Sequence, residues 1–410
     1  MVVGLDIGTT KVCAVIGERG EKGTLEITGV GVSPSTGLRK GVVVNIEATL
    51  RSVAAAIEAA EMMSGREVYG VWTGIGGSHI DGINSRGVVA VTGRNRETRE
   101  ITEEDVARVL EAARAVVIPM DRQVLELIPQ AYIVDNQKGI RDPLDMIGVR
   151  LEAEVHIITC SVTGAQNLIK CVNRAGFHVD GLVLQSLAAG RAVLTEEEKE
   201  LGVALVDLGG GTTDVLVYSE GAPYSTTTIP AGGSQVTNDI SIMKNIPYDT
   251  AEKIKIEAGS CWEDIRSDGI DEEIIVPGVG GRPPLPIPRS EIEMIIRPRM
   301  EELFFMVKER IDAALSRPPG GGIVLTGGGS QLLGAAELAS FIFRLPCRVG
   351  SPLPVGGLVE EYRSPVFSTA VGLVLEGIQR ASVPGDRDAP AREGRPLFGR
   401  IGDWIKKEFF

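Results

Sequence analysis

The chain has 410 residues, too many for one hydrophobic core, and this length predicts a multidomain protein. Apolar residues make up 43% of the sequence and 51 positions are glycine, a composition that excludes disordered and collagen-like chains. The formal net charge of -13 argues against a nucleic-acid partner, because phosphate backbones are bound by an excess of lysine and arginine.

The cysteines, the N-terminus and the length of the apolar runs indicate the cellular context. Five cysteines are widely spaced without a CxxC pair, which is typical of reduced thiols in a cytosolic protein. The sequence begins as a strand, so we expect no secretion leader. Its apolar runs fall short of the roughly 18 to 20 residues that span a bilayer, so we expect no transmembrane helix.

The first predicted element is a hairpin with a glycine-rich turn, and the same pattern recurs later in the chain. Residues 2–15 read VVGLDIGTTKVCAV, and residues 204–218 read ALVDLGGGTTDVLVY. Each has an apolar strand, Asp-x-Gly, a short stretch of glycine and threonine, and a second apolar strand. The repetition predicts two similar halves that face each other.

A helix and an inserted unit follow the first hairpin. Apolar residues at helical spacing predict a helix that is capped by Asn45 and ends at Gly65. Residues 81–161 then interrupt the alternation of strand and helix. Thr102 to Asp105 resembles a capping box, and the strand-like segments YIV and VHIIT come after it. We expect a small α+β unit in this insertion.

A second insertion follows the second hairpin. Residues 231–311 are predicted to be mostly helical, with a loop GVGGRPPLPIP at residues 278–288 that we expect to continue neither a helix nor a strand. The chain then returns to the second half through IVLTGGGSQLLG. It returns to the first half through a last helix near Phe367 to Gln379.

The C-terminal segment has the composition of a tether followed by an amphipathic helix. Residues 382–396, SVPGDRDAPAREGRP, are rich in proline, glycine and charge, which predicts a flexible linker. Residues 397–410 place apolar side chains on one helical face, which favours peripheral membrane binding over the alternative of docking on the protein body. The side chains predicted to meet the membrane are Phe398, Ile401, Trp404, Ile405, Lys406, Lys407 and Phe409.

The two hairpin turns carry the groups that a magnesium triphosphate needs. Main-chain amides and hydroxyls bind phosphate oxygens, and one carboxylate from each side suffices for a hydrated Mg²⁺. Asp6 and Asp207 are the predicted metal-facing carboxylates. The predicted phosphate-binding residues are Gly8, Thr9, Thr10 and Lys11 in the first turn and Gly209, Gly210, Gly211, Thr212 and Thr213 in the second.

Either turn alone could be a tight connection between two core strands, and the repetition is what favours a phosphate site. Neither GxxxxGK[ST] nor a complete GxGxxG occurs in the sequence, so the two common alternative phosphate motifs are missing. Two further glycine clusters precede predicted helices, whose N-termini attract anions. These candidates are Gly327, Gly328 and Gly329 after the strand IVLT, and Gly232 and Gly233 after Ile229.

The two phosphate turns and the TGGGS loop, in this order, resemble the superfamily of actin, chaperones and sugar kinases. Within it, the chain is similar to the FtsA family of bacterial cell-division proteins over nearly its whole length. The segments that carry this resemblance are IPQAYIVDNQKGIRDPLDMIGVRLEAEVHIIT, IPAGGSQVTNDI, VPGVGGRPP and STAVGL, together with the amphipathic tail. The first of them lies in an insertion that other actin-like proteins lack.

The resemblance implies an α/β, actin-like duplicated ATPase fold with two large domains around a nucleotide cleft, plus inserted α+β subdomains. It also implies a division of the chain. Subdomain 1A would comprise residues 1–80, 162–198 and 352–381, subdomain 1C residues 81–161, subdomain 2A residues 199–230 and 312–351, and subdomain 2B residues 231–311, followed by the linker at 382–396 and the membrane helix at 397–410.

The resemblance further implies roles for side chains outside the turns. Glu252 and Lys255 would flank the adenosine, the alternative being a solvated helix face. Gln185 would orient the attacking water and form the catalytic pair with Asp207, the alternative being a glutamine that caps its helix. Because an uncharged amide is a weak base, ATP hydrolysis is expected to be slow at most.

The expected partners also follow from the resemblance. It implies a protein that polymerises, lies on the cytoplasmic face of the membrane at the division site, and tethers the ring of the tubulin-like protein FtsZ. The FtsZ C-terminal tail is expected to dock on residues 231–311, other division proteins on residues 81–161, and anionic lipids on the tail. One tail should bind weakly, and adjacent copies in a filament should bind strongly.

Two alternatives share the phosphate turns. A sugar-type small-molecule kinase needs a catalytic carboxylate and a closed sugar pocket. The predicted membrane-binding tail argues against such an enzyme. A cell-shape filament protein of the MreB type would share AEKIKIEAGS at residues 251–260. The insertion at residues 81–161 and the VGGRPP loop speak against it.

Overall fold

The computed structural model describes residues 1–20, 25–91, 98–262, 273–277, 283–353, 355–357 and 360–381. The strands, in chain order, are β1 Val2–Ile7, β2 Lys11–Arg19, β3 Leu25–Pro34, β4 Leu38–Arg39, β5 Val42–Val43, β6 Gly70–Ile75, β7 Asp81–Ala90, β8 Arg99–Glu100, β9 Arg122–Val134, β10 Gln137–Ile140, β11 Ile147–Gly148, β12 Arg150–Ser161, β13 His178–Leu184, β14 Ala204–Leu208, β15 Thr213–Ser219, β16 Ala222–Ile229, β17 Glu273–Val276, β18 Leu285–Pro288, β19 Ile323–Thr326 and β20 Cys347–Val349.

The helices, in chain order, are α1 Ile46–Ser64, α2 Glu103–Arg114, α3 Val162–Arg174, α4 Gln185–Val193, α5 Glu196–Leu201, α6 Gly233–Lys244, α7 Tyr248–Ala258, α8 Arg289–Ala314, α9 Ala335–Phe343 and α10 Ser368–Ala381. Helix α1 has the predicted ends. The side-chain oxygen of Asn45 accepts from the amide of Ala48 at 3.0 Å, and Gly65 ends the helix with φ of 66°. A left-handed backbone at this position suits glycine, which has no Cβ to clash.

Two five-stranded sheets repeat one arrangement of strands. The first has the order β13-β6-β1-β2-β3 and the second the order β16-β15-β14-β19-β20. In each sheet a hairpin, β1–β2 or β14–β15, is antiparallel, and its first strand pairs in parallel with a later strand, β6 or β19. Helices α1, α4 and α10 pack against the first sheet or each other. The predicted hairpins and the α/β duplication are thus confirmed.

The insertion between β6 and α3 forms its own sheet and core. Strands β10-β9-β12-β7 make a four-stranded sheet, and α2 packs against β7 and β12. Alternate residues of β12, among them Leu151 and Val155, are fully buried beneath α2. The predicted helix start is present, since Asp105 accepts from the backbone amide of Thr102 at 3.0 Å. The insertion is the α+β unit that the sequence predicts.

The second insertion is mostly helical, but one expectation for it is wrong. Residues 285–288, predicted to continue neither a helix nor a strand, form β18, which pairs antiparallel with β17. Ile287 and Val276 are buried on this ribbon. Proline is tolerated there because a two-stranded ribbon leaves one edge of each strand unpaired, so a missing amide donor is not needed. Residues 278–282 of the predicted loop lie outside the described residues.

The predicted linker at 382–396 and amphipathic helix at 397–410 also lie outside the described residues, and both stay predictions. Within the described ranges, every helix is too short or too polar to cross a bilayer.

Candidate functional site

Two turns with the same closure end the first strands of the two hairpins. In the first turn, the amide of Gly8 donates to the carbonyl of Lys11 at 2.9 Å. In the second, the amide of Gly209 donates to the carbonyl of Thr212 at 2.9 Å. The Asp-x-Gly pattern therefore builds the same local structure twice, with Asp6 and Asp207 near the ends of β1 and β14.

The two turns lie directly against each other. A Cβ atom placed on Gly211 would come within 2.6 Å of the hydroxyl of Thr9, and one placed on Gly210 would overlap the side chain of Thr10. Only glycine in the second turn lets the threonines of the first turn come so close. The amide of Gly41 also donates to the hydroxyl of Thr9, at 3.1 Å. The two repeats thus meet in one place, at the position of the predicted cleft.

The carboxylate of Asp6 is held by two of the predicted site residues. The side-chain amide of Gln185 donates to Asp6 Oδ1 at 2.9 Å, and Lys11 Nζ donates to Oδ2 at 3.3 Å. Gln185 is the first residue of α4. It packs over the backbone of Gly76, because a Cβ placed on Gly76 would overlap the side-chain oxygen of Gln185. Residues that are far apart in sequence therefore meet at one wall of the cleft.

Asp207 lies on the opposite wall, in an unfavourable place for a negative charge. Burial raises its pKa to about 7, and the nearby charges of Asp214 and Asp6 add to this increase. The hydroxyl of Thr369 donates to Asp207 Oδ2 at 3.2 Å and partly offsets it. Burial also raises the pKa of Asp214, to about 6. A divalent cation between the two turns would relieve this repulsion.

A site for Mg²⁺ fits the donors that are present. Magnesium keeps several waters and takes few protein carboxylates, so Asp6 and Asp207 are a sufficient set beside phosphate oxygens. In the described part of the chain, His, Cys, Asp and Glu side chains form no group of three or more with metal-binding geometry. These residues thus suit a hydrated ion held jointly with a polyphosphate better than an ion caged by protein alone.

Asp214 and Thr369 are site residues that our sequence analysis missed. Asp214 could have been found, because it follows Thr213 directly and lies opposite Asp207 in the hairpin register. Its carboxylate accepts from the hydroxyl of Thr228 at 2.5 Å. Thr369 gave no local signal, since it lies 162 residues after Asp207 and reaches it only through the fold.

Three further predicted donors also bond within the protein. The hydroxyl of Thr213 is fully buried and donates to the carbonyl of Ala231 at 2.8 Å. The amide of Gly233 donates to the carbonyl of Gly209 at 2.9 Å, and that of Gly232 to the side chain of Gln235 at 2.8 Å. The bonds of Thr213 and Gly233 thus hold the second turn against the start of α6, and the bond of Gly232 caps that helix.

Glu252 and Lys255 lie beside the start of α6, next to the bonds that hold the second turn. Lys255 Nζ donates to Glu252 Oε2 at 2.8 Å, to the hydroxyl of Thr237 at 3.0 Å and to the carbonyl of Gly233 at 3.3 Å. The side chain of Lys255 is only 15% exposed, which differs from the solvated helix face given as the alternative. The pair thus packs on the first turn of α6, next to the cleft.

The third glycine cluster differs from its prediction in one respect. Gly327, with φ of 79°, leads into a short 3-10 helix, Gly328–Gln331, and α9 begins only at Ala335. The predicted apolar helix does follow the cluster as α9, but the glycines open the short 3-10 helix before it and not α9 itself. Ser330 closes the turn by donating its hydroxyl to the carbonyl of Gly327 at 2.7 Å. The cluster still borders the cleft, since a Cβ on Gly327 would overlap the carboxylate of Asp207.

Replacing Asp207 by Asn should stabilise the ligand-free protein most at high pH. The folded-state pKa of about 7 lies above the ordinary value of 3.8, so the aspartate's contribution to stability falls as pH rises through 7. A neutral amide is insensitive to pH. We therefore expect Asp207→Asn to exceed wild type in free energy of unfolding by more at pH 8 than at pH 5.5, the difference between the two pH values being up to about 2 kcal/mol. Urea unfolding at both pH values checks this, and an equal advantage at both would contradict it.

Two family models match the chain. The model described as "Cell division protein FtsA" matches residues 204–372, and the model described as "SHS2 domain inserted in FTSA" matches residues 77–159. The second range contains α2 and the inserted sheet up to the last two residues of β12. Several solved structures share the fold at low identity. The "PilM-PilN type IV pilus biogenesis complex" has a TM-score of 0.65 at 18% identity and covers 92% of this chain and 98% of that one.

A structure of MreB5 of Spiroplasma citri bound to ADP has a TM-score of 0.52 at 16% identity, covering 93% of this chain and 95% of that one. These likenesses show that the α/β fold is actin-like, as predicted. At this identity the likeness to MreB5 shows the fold alone.

Curated relatives are far more similar in sequence. Proteins described as "Cell division protein FtsA" are 45% identical in Pseudomonas aeruginosa, covering 100% of this chain and 98% of the relative, and 46% identical in Borreliella burgdorferi, covering 100% and 99%. The Escherichia coli K12 relative is 39% identical, covering 100% and 98%. Identity of this level over the full length, together with both family models, shows that the chain belongs to the FtsA family of bacterial cell-division proteins.

Proposed function

We propose that this cell-division protein binds Mg-ATP between its two turns. The observation that carries the proposal is the approach of Gly210 and Gly211 to Thr10 and Thr9, with a carboxylate at the base of each turn. Amides, hydroxyls and two opposed carboxylates are the donor set that a polyphosphate with magnesium requires. The MreB5 structures described as bound to ADP and to AMPPNP share the fold and support nucleotide binding by a chain of this fold.

Within this proposal, each part of the cleft has its own role. Asp6 and Asp207 would hold the hydrated metal, which supplies charge neutralisation for the phosphates. Of the predicted donors, the amides of Gly210 and Gly211, the hydroxyls of Thr9 and Thr10, and Lys11 would contact phosphate oxygens. Gly327 to Gly329 would border the adenosine, and the pair of Glu252 and Lys255 would flank it from α7.

Hydrolysis, where it occurs, should depend on Gln185. Its amide already donates to Asp6, so it lies at the wall where an attacking water would be oriented. An amide orients water but removes its proton poorly, which supports slow turnover. Asp207 would assist through its charge. We therefore propose binding of ATP as the main property and hydrolysis as a slow one.

We further propose that the protein polymerises and tethers the FtsZ ring to the cytoplasmic face of the membrane. The division into subdomains 1A, 1C, 2A and 2B with the boundaries given above belongs to this proposal. The FtsZ C-terminal tail would dock on residues 231–311, and other division proteins on residues 81–161. Membership of the FtsA family supports partners within the division machinery.

The membrane attachment would come from the C-terminal tail. Its stripe of large apolar side chains and its cations favour an anionic lipid surface, whereas the protein as a whole carries a charge of -13. Anionic lipid repels such a body within a Debye length of about 8 Å. The flexible 15-residue linker predicted for residues 382–396 would reach roughly 20 Å, which exceeds that distance.

Removing the tail should abolish membrane binding. We expect residues 1–410 to sediment with anionic liposomes and residues 1–384 to stay in the supernatant, because only the longer chain has the apolar stripe. Trp404→Glu, on the stripe, should behave as the truncation, whereas Asp403→Asn, off the stripe, should sediment as the full chain. The measurement is the sedimented fraction with and without Mg-ATP. Equal sedimentation of both lengths would refute the tethering proposal.

A further inference from the structure

The first turn of α10 joins the two halves of the fold. Helix α10 packs on the first half, since a Cβ on Gly4 of β1 would overlap the backbone of Ala370. Its first two side chains bond to the second half instead. The hydroxyl of Ser368 lies 2.8 Å from that of Thr326 at the end of β19, and Thr369 donates to Asp207 at 3.2 Å.

The contact between Thr369 and Asp207 fixes the carboxylate from outside its own strand. Thr369 is 7% exposed, so its hydroxyl has few alternative partners in solvent. It bonds Oδ2, while the other oxygen, Oδ1, lies beside Gly327. A hydroxyl that donates to one carboxylate oxygen sets the plane of the carboxylate, and with it the direction in which the group faces a metal.

We propose that Thr369 is a positioning residue for magnesium nucleotide, holding the carboxylate of Asp207 from the opposite half of the fold. The inference rests on the proposed binding of Mg-ATP between the turns. In this role Thr369 would act through Asp207 and not by its own contact with metal or nucleotide. Because the bond crosses between the halves, it also makes the geometry of the metal site depend on how the two halves are set against each other.

The neighbouring Ser368 offers a matched control. Both residues are buried hydroxyls in the same helical turn, and both bond to the end of a strand in the second half. Only Thr369 reaches a predicted metal ligand. A merely structural role would therefore give Thr369→Val and Ser368→Ala the same effect, whereas a positioning role separates them.

The experiment is calorimetric titration of the full chain with ATP, in excess magnesium and again in EDTA. We expect Thr369→Val, which keeps the shape but removes the hydroxyl, to weaken Mg-ATP binding about tenfold. Thr369→Ser should bind within about twofold of wild type. Ser368→Ala should lower the thermal midpoint but leave Mg-ATP affinity unchanged. In EDTA, wild type and Thr369→Val should bind ATP equally.

Thr369→Val binding Mg-ATP as tightly as wild type would overturn the inference and leave the proposed function intact. So would a loss shared equally by Ser368→Ala, or one that persists in EDTA. If wild type binds no Mg-ATP at all, the proposed function fails and this inference falls with it. Rescue by Thr369→Ser together with magnesium dependence is the result that supports the positioning role.

Discussion

Replacing Asp207 by Asn is expected to weaken the binding of Mg-ATP about 100-fold. Asn keeps the size of the side chain and can accept from Thr369, but it lacks the charge that faces the metal. Losing one member of a close charge pair in a desolvated site costs about 2 to 5 kcal/mol. With each 1.4 kcal/mol equal to a tenfold change, 100-fold lies within that range. Calorimetric titration of the full chain with Mg-ATP measures it.

A matched control keeps this result specific to the cleft. Asp239 pairs with Arg299 between α6 and α8, with a closest distance of 2.6 Å, and its hydrogen bonds in the described part of the chain go to that arginine. Asp239→Asn removes a half-buried carboxylate outside the cleft and should bind Mg-ATP as wild type does. If Asp207→Asn kept wild-type affinity, Asp207 would not be a metal-facing carboxylate.

Gly372→Ala should destabilise the fold by about 2 to 3 kcal/mol. Helices α10 and α4 cross so closely here that a Cβ on Gly372 would overlap the carbonyl oxygen of Ala188. Backbone atoms cannot rotate away as a side chain can, so one or both helices must shift, and overpacking of this kind typically costs 1 to 3 kcal/mol. The better helix propensity of Ala, worth about 1 kcal/mol, offsets part of a larger clash. The readout is a lower urea midpoint.

Gly190→Ala in α4 provides the comparison for this substitution. It is also a helical glycine in the same pair of helices, but the nearest atom to its Cβ would be a side-chain methyl of Leu216 at 3.2 Å. That methyl can move, so we expect Gly190→Ala to be neutral or slightly stabilising. Equal destabilisation by both substitutions would show that the close crossing at Gly372 is not what makes alanine unfavourable there.

The parts of the fold that could be predicted from sequence depend on local signals. The two hairpins follow from Asp-x-Gly between apolar strands, and the ends of α1 follow from Asn45 and Gly65, whose backbone preferences act within a few residues. The likeness between residues 2–15 and 204–218 even predicted two facing halves. In the structure, Thr9 and Thr10 lie against Gly211 and Gly210.

The parts that could not be predicted depend on contacts between distant residues. The bond from Thr369 to Asp207 exists because α10 crosses to the other half. The amide of Gly233 bonds to the carbonyl of Gly209 because α6 packs behind the second turn. Residues 285–288 form a strand because β17 is available to pair with them. Tertiary pairing decided each case, and nothing in the local sequence signalled it.

The central claim is that one Mg-ATP lies between the turns that hold Asp6 and Asp207. Its most direct test is a calorimetric titration of the wild-type chain with ATP, once with excess magnesium and once with EDTA. We predict saturable binding of one nucleotide per chain with magnesium and much weaker binding without it. The absence of binding heat with magnesium, or the same affinity in EDTA, would contradict the claim.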